Sequence, residues 1–312
     1  MKLNYKVIAV GVLLLLAFVA VYEKGIIDGQ TGNVMTLMAN ADAKETDAKP
    51  KISPVKARGR EFYTPNSEDL GPDEMRLIAC GTGMPTARPK QAASCWLLEL
   101  GNGDKFIFDI GTGSNERISA FQIPYNFLDK VFLSHLHTDH FGDLDALFVS
   151  GALAGRQKPL RVWGPSGETP ERGTKYALDH LFKALTWDLD GRKGLTDPRG
   201  YHLEVNEFDY KGMNQIVYQE NGVTIRSFPA IHSLDGPVSF SVEWNGLKFV
   251  FGGDTYPNKW YDVYAKDADL AIHECFIAVP DMISGGRLDV KDVIQPTYDE
   301  INKKYGLNEK QD

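Results

Sequence analysis

Cysteine is scarce in this chain: Cys80, Cys95 and Cys275 are the only three in 312 residues. That count excludes a disulfide framework, permits at most one internal bridge and leaves one thiol over. Compact basic clusters are also lacking. "KARGR" at Lys56 to Arg60 stands alone and the net charge is −8, so a polyanion such as RNA is a poor first partner and no nucleic-acid partner is expected. No short internal repeat is visible, which sets repeat architectures aside. What is present is ordinary globular composition, with 43% hydrophobic and 24% charged residues, enough for one large domain or two small ones.

One long apolar run stands out at the start, where Lys2 and Lys6 precede "VIAVGVLLLLAFVAVY" and Glu23 and Lys24 follow it. This reads as an export segment. As a helix it spans roughly 24 Å, short for a bilayer core but tolerable with local thinning. No small-x-small pair directly follows it, since Ala20 has Phe18 two positions before it. Residues 1–23 are therefore read as a signal anchor in preference to a cleaved signal peptide. The lysines stay inside, and the remainder is placed in a periplasm or equivalent space, held at the inner membrane. Residues 24–60, rich in Ala, Asp, Lys, Gly and Pro, read as a flexible linker, and 61–312 as the folded domain.

Regular structure is expected from Met75. "MRLIACG", "SCWLLEL", "KFIFDIG", "DKVFLSH" and "LRVWGP" are short apolar or alternating runs bounded by Gly, Asn and Pro, as strands are. Asp143 to Ala154 and Lys175 to Leu189 carry apolar residues at helical spacing. A second strand series follows in "GVTIRSFPAI", "VSFSVEWNG", "LKFVFGGD" and "ADLAIHECF", with Asn245-Gly246 marking a hairpin. The chain thus divides into two successive β-rich halves with helices, an α/β (α+β) class.

Chemistry concentrates in "FLSHLHTDHFGDLDAL", which holds three of the seven histidines. His135 and His137, two apart at a strand end, point to the same side in an extended backbone and can share a metal. Asp139 and His140 follow in an expected loop, free to face a second ion a few Å away. Imidazoles with a carboxylate suit zinc or iron. The plainer reading, a solvated polar loop, fits poorly with three histidines placed as HxHxDH after an apolar strand. His232 in "FPAIHSLDGP" and Asp254 in "FVFGGDTYP" end later strands and gain weight beside that motif. His180, in a helix, and His202, in a loop, read as structural or solvated.

The opening "IACGTGMPTARPKQAASCWLLEL", "FDIGTGS", "SHLHTDHFGD", "WGPSG", the late His232, "GGDT" and "IHECF" together resemble the metallo-β-lactamase-fold hydrolases, in the branch of ribonuclease Z and arylsulfatase-like proteins. The run from "DEMRLIACGTGMPTARP" to "NGLKFVFGGDTYPNKW" is similar to exported proteins labelled guanitoxin-biosynthesis metallo-hydrolases. The resemblance covers roughly Met75 to Val279. It implies a four-layer αββα sandwich with a dinuclear site at one edge. In it His135, His137 and His232 hold one metal, Asp139 and His140 hold the other, and Asp254 bridges. The metals would be zinc, with manganese or iron as alternatives, and a hydroxide between them the nucleophile. Asp139, His273 and Glu274 carry the catalytic roles: His273 donates a proton to the leaving group and Glu274 orients it. Cys275 reads as a buried core thiol.

The family's further histidine has no counterpart here, since none follows His273, and the tail after Gly285 and Gly286 looks shortened. A weakened second metal site is expected, with water or a tail carboxylate such as Asp289 or Asp292 filling in, and an uncovered edge on the second sheet. The leading expectation is an exported hydrolase of a small anionic substrate, a phosphate or sulfate ester. The alternatives are a catalytically impaired binding protein and, third, a tRNA 3′ processing endonuclease. The last is opposed by the export segment, the acidic balance and the absence of a Gly/Pro-rich arm. Residues 168–212, with Trp187, Tyr201 and Phe208, are expected to overhang the site.

Overall fold

The computed structural model describes residues 70–86 and 88–274. The signal anchor and linker, Cys275, and the tail with Asp289 and Asp292 lie outside the described residues. Among the described residues no helix is long and apolar enough to cross a membrane.

The two halves of the chain become two sheets. The first has six strands in sequence order: β1 (Met75–Gly81), β2 (Cys95–Leu100), β3 (Lys105–Phe108), β4 (Lys130–Phe132), β5 (Leu160–Pro165) and β6 (Leu203–Phe208). β1 to β3 form an antiparallel meander, and β3 to β6 run parallel. Parallel neighbours need crossovers, and these supply the helices α1 (Asn115–Ala120), α2 (Thr138–Phe141), α3 (Leu144–Leu153), α4 (Thr174–Ala184) and α5 (Thr186–Arg192). The second sheet has five strands: β7 (Gln215–Glu220), β8 (Val223–Pro229), β9 (Val238–Trp244), β10 (Leu247–Phe251) and β11 (Leu270–Ile272), with α6 (Lys259–Tyr264) between the last two. Asn245 and Gly246, at φ 50 and 77, make the expected hairpin turn; Asn221 and Gly222, at φ 52 and 77, make another between β7 and β8.

Alternation explains the layers. In β9, Val238, Phe240, Val242 and Trp244 point toward the first sheet, while Ser239 and Ser241 point away. They meet Leu98, Phe106, Phe108, Phe132 and Trp163 from the first sheet in one inter-sheet core. The Phe132 ring stacks on Trp163 at 4.8 Å between centroids and meets Phe240 edge-on at 5.7 Å. The opposite face of the first sheet gives a second core, where Leu97, Ile107, Val131 and Val162 pack against Ile118, Leu147, Phe148 and Leu178 of the helices. On the far side of the second sheet, Tyr264 and Tyr261 of α6 cover Phe228. The αββα order follows from these contacts.

Three features depart from the sequence reading or were not anticipated by it. The helix expected over 175–189 breaks at Leu185 into α4 and α5. The stretch 168–212 supplies outer-layer packing, with Leu178, Leu181, Phe182, Leu189 and Tyr201 set against the helix-side core, and Trp187 stands exposed. Arg156 is fully buried, donating 3.1 Å hydrogen bonds to the carbonyls of Phe148 and Gly200, and burial lowers its pKa to about 10.

Where the parallel strands begin, polar contacts join the sheets. Lys130 pairs with Asp104 and Asp129 at 3.2 Å, Arg161 with Asp129 at 3.2 Å and with Glu220 of the second sheet at 2.9 Å. Asn221 of the β7–β8 turn donates to Asp104 at 3.1 Å. Stability, however, rests on the aromatic layer. Phe132→Ala is expected to cost about 3–5 kcal/mol in urea-induced unfolding; a cost below about 1 kcal/mol would show that the inter-sheet core is not what holds the layers.

Candidate metal centre

Strand direction decides where the polar residues gather. β3, β4 and β5 are parallel; β8, β10 and β11 share one sense in the other sheet. Asp109, His135, His232, Asp254 and His273 each follow the C-terminal end of one of these strands. Their connections meet at one edge of the sandwich, where the Val238 N–H donates to the Ser134 carbonyl at 3.0 Å and the Tyr256 N–H to the Ile231 carbonyl at 2.9 Å.

His135 is buried, and its Nδ1 lies 3.1 Å from Ser134 Oγ, which leaves Nε2 facing outward. His135 Nε2 lies 3.0 Å from His137 Nδ1, and His232 Nε2 lies 3.1 Å from that same atom. Three nitrogens from three side chains thus converge, and a neutral imidazole offers only one lone pair and one N–H to share among them. Ligands held tetrahedrally about 2.1 Å from zinc stand about 3.4 Å apart, a few tenths of an ångström more than seen here.

Next to this group, Asp139 and His140 lie in α2, a short helix where a loop was expected. The helical turn buries both and sets His140 Nε2 3.5 Å from Asp139 Oδ2 and 3.3 Å from Asp254 Oδ1. The other oxygen of Asp254 is 3.9 Å from His232 Nε2. Its carboxylate therefore lies between the two groups of donors. His135, His140 and Asp254 have ligand atoms mutually within 4.8 Å, as do His135, His137 and His232.

The donor set fits metal. Asp139 Oδ1 is buried without a hydrogen-bond partner, a costly arrangement that a cation would relieve. Burial first, then the neighbouring His140, His232 and His137, hold His135 well below the usual imidazole range, in the neutral form that ligates. Asp254 stays below the ordinary carboxylate value because His140 and its neighbours outweigh the effect of burial.

The residue that the sequence reading quoted without giving a role is Asp109. Fully buried at φ 58, it accepts the Ser134 N–H at 2.7 Å, the Ser134 hydroxyl at 2.8 Å and His140 Nδ1–H at 2.6 Å. Burial raises its pKa while His140 pulls it down. Against the opposing effect of burial, the Asp109 carboxylate, with Asp139 and Asp254, raises His140 to about 12, so without a cation the ring carries protons on both nitrogens and a metal would have to replace the one on Nε2. A carboxylate at the end of an apolar strand, followed by glycine, was the available signal in "FDIG".

Close packing fixes the rest. A Cβ on Gly253, at φ 61, would come 2.7 Å from Ser134 Cβ, and one on Gly111 would run into the Asp139 carbonyl. His273 ends β11, with Nδ1 2.9 Å from the Glu274 carbonyl and its ring edge-on to Tyr261. Glu274 reaches the Thr255 N–H, and burial, with Asp254 nearby, raises it to about 7. His180 stacks on Tyr176 at the surface of α4, and His202 is exposed, its carbonyl accepting from Leu160 N–H.

A family model described as "Anti-Pycsar protein Apyc1" matches residues 75–284. The chain belongs to this family, within the metallo-β-lactamase-fold, ribonuclease Z-like hydrolases. It is 33% identical over 207 residues to ribonuclease Z of Mycobacterium marinum, across 64% of this chain and 70% of that one. Ribonuclease Z of Mycobacterium bovis is 31% identical over 207 residues, 64% of this chain and 69% of the relative. Among solved structures, human tRNase Z, short form, shares the fold, with a TM-score of 0.52 and 19% identity over 74% of this chain and 88% of that one.

Asp109→Asn is expected to leave the fold intact and to weaken metal binding about 10–100-fold, since it removes the acceptor that orients His140. Chelator competition reads the affinity directly. Unchanged affinity would show that Asp109 serves packing alone.

Proposed function

We propose that this protein is a metal-dependent hydrolase of small phosphate esters, working outside the cytoplasm on a tether formed by its N-terminal apolar run. The convergence of His135 Nε2, His137 Nδ1 and His232 Nε2 carries the reading. The phosphate ester is favoured over a sulfate ester because the curated relatives are ribonucleases, enzymes of phosphodiesters. The location rests on Lys2, Lys6 and the apolar residues after them.

His135, His137 and His232 would hold one divalent cation, and Asp139, His140 and Asp254 a second, with Asp254 shared. Such cations, zinc for example, would supply a water of pKa about 7 and positive charge beside the ester oxygens. The chain's own residues do the remainder. Asp109 holds the Nδ1 proton of His140, so Nε2 is the atom that would exchange its proton for a cation. His273 directs Nδ1 at the Glu274 carbonyl, which leaves Nε2 as the atom that carries a proton to the departing oxygen. The Glu274 carboxyl, raised to about 7, exchanges its proton near neutrality and keeps that end of the site polar.

Bis(p-nitrophenyl) phosphate tests the proposal. Purified protein should turn it over with near two metals per chain by elemental analysis, lose activity to a chelator and regain it with zinc. His137→Ala should cost at least about 1,000-fold in kcat/KM together with metal content. His273→Ala should keep its metal and lose about 100-fold or more with an alkyl leaving group, and far less with nitrophenolate, which departs without a proton. Metal without turnover of any phosphate or sulfate ester would support a binding protein. Cleavage of precursor tRNA at physiological salt would move the substrate to RNA.

A further inference from the structure

We propose that Cys80 and Cys95 form an oxidation site, a disulfide that closes the base of the loop from residue 81 to residue 94 beside the metal centre. Cys80 belongs to edge strand β1 and Cys95 opens β2. Ala79 pairs with Trp96 and Gly81 with Cys95, so Cys80 is the extra residue of a bulge across from Cys95. Both side chains enter the helix-side core, 5% and 0% exposed. Burial first, then the neighbouring Cys80, hold the Cys95 thiol well above its usual range, and Cys80 Sγ lies 3.8 Å from the Ile78 carbonyl. Gly81, the next residue, is the direct partner of Cys95, so the bulge keeps Cys80 on the strand segment facing it, and a disulfide spans Cα atoms roughly 4.4–6.8 Å apart.

The loop so closed stands against the site. The Gly83 N–H donates to the Ala92 carbonyl at 2.7 Å, the Ala93 N–H to Thr112 at 3.0 Å, and the Gly111 N–H to Ser94 at 2.8 Å. Gly111 is in turn pressed on the Asp139 carbonyl, and Ser94 Oγ lies 3.5 Å from Asp109 Oδ2. A bond at Cys95 would therefore fix the strand end from which these contacts start. Access comes from topology: among the described residues β1 pairs with β2 alone, so its opening exposes both sulfurs while the central strands stay paired.

With oxidised glutathione as the oxidant, one cysteine thiolate attacks a glutathione sulfur and releases one glutathione. The second cysteine thiolate then attacks the mixed disulfide and releases the other. The protein sulfurs lose two electrons, glutathione gains them, and the two thiol protons pass to the released thiolates.

The test uses the full chain carrying Cys275→Ser, so that only this pair remains. After equilibration with oxidised glutathione, thiols counted in denaturant should fall from two to none. Peptide mapping should find Cys80 joined to Cys95, and Tm should rise by on the order of 5–10 °C, as expected for a closed loop of this length. Reductant should reverse all three. Cys80→Ala and Cys95→Ala should each abolish the cross-link; if either fails to fold, the Cys275→Ser chain still decides. Two thiols persisting after oxidation, both in native buffer and in urea just below the unfolding transition, would overturn the proposal. So would pairing of either cysteine with Cys275 in the unsubstituted chain.

Discussion

The buried Asp109 carboxylate is the contact on which the site depends. Fully desolvated, it is satisfied by the Ser134 backbone, the Ser134 hydroxyl and the His140 ring. Each partner then does a second job. Ser134 places its hydroxyl beside His135 Nδ1 and its carbonyl under the Val238 N–H, while His140 turns Nε2 toward Asp139 and Asp254. One carboxylate thereby sets the orientation of histidines that face both groups of donors and joins the end of β3 to the end of β4. An isolated charge at that depth would be costly, so these hydrogen bonds are what lets the carboxylate stay buried where the chemistry needs it.

Much of this was legible in the sequence. "VSFSVEW" read as a strand, Asn245-Gly246 named its hairpin, and HxHxDH pointed to side chains that the fold brings together. The resemblance to metallo-β-lactamase-fold hydrolases was carried by turns and strand ends, which is where backbone geometry constrains residue choice most. What was not legible depends on long-range context. Asp139 and His140 sit in a helical turn because the Asp143 and Gly142 N–H groups find carbonyl partners at Ile110 and Thr138, a pairing invisible to local propensity. Asp109 reads as one more strand-end acid until burial and three donors distinguish it. Leu185 ends α4 in a sequence whose apolar spacing continues past it.

The edge expected on the second sheet is present among the described residues, where β11 pairs with β10 alone and exposes Leu270. Three residues of parallel pairing give a short edge, the form in which natural sheets tolerate one. His273 and Glu274 follow directly, so the residues proposed to move protons stand at the end of a short edge strand.

The division of the chain into one sheet per half has a consequence for how the molecule comes into being. Residues 75–208 complete the first sheet and 215–272 the second, so most strand pairing is between near neighbours in sequence. His135, His137, Asp139 and His140 come from the first half, His232 and Asp254 from the second. During synthesis the first half leaves the ribosome with four of the six donors, and the set stays incomplete until β10 and Asp254 after it have been made. Cations held by these six residues would act as rivets between layers assembled at different times, and their capture would report that the halves had docked.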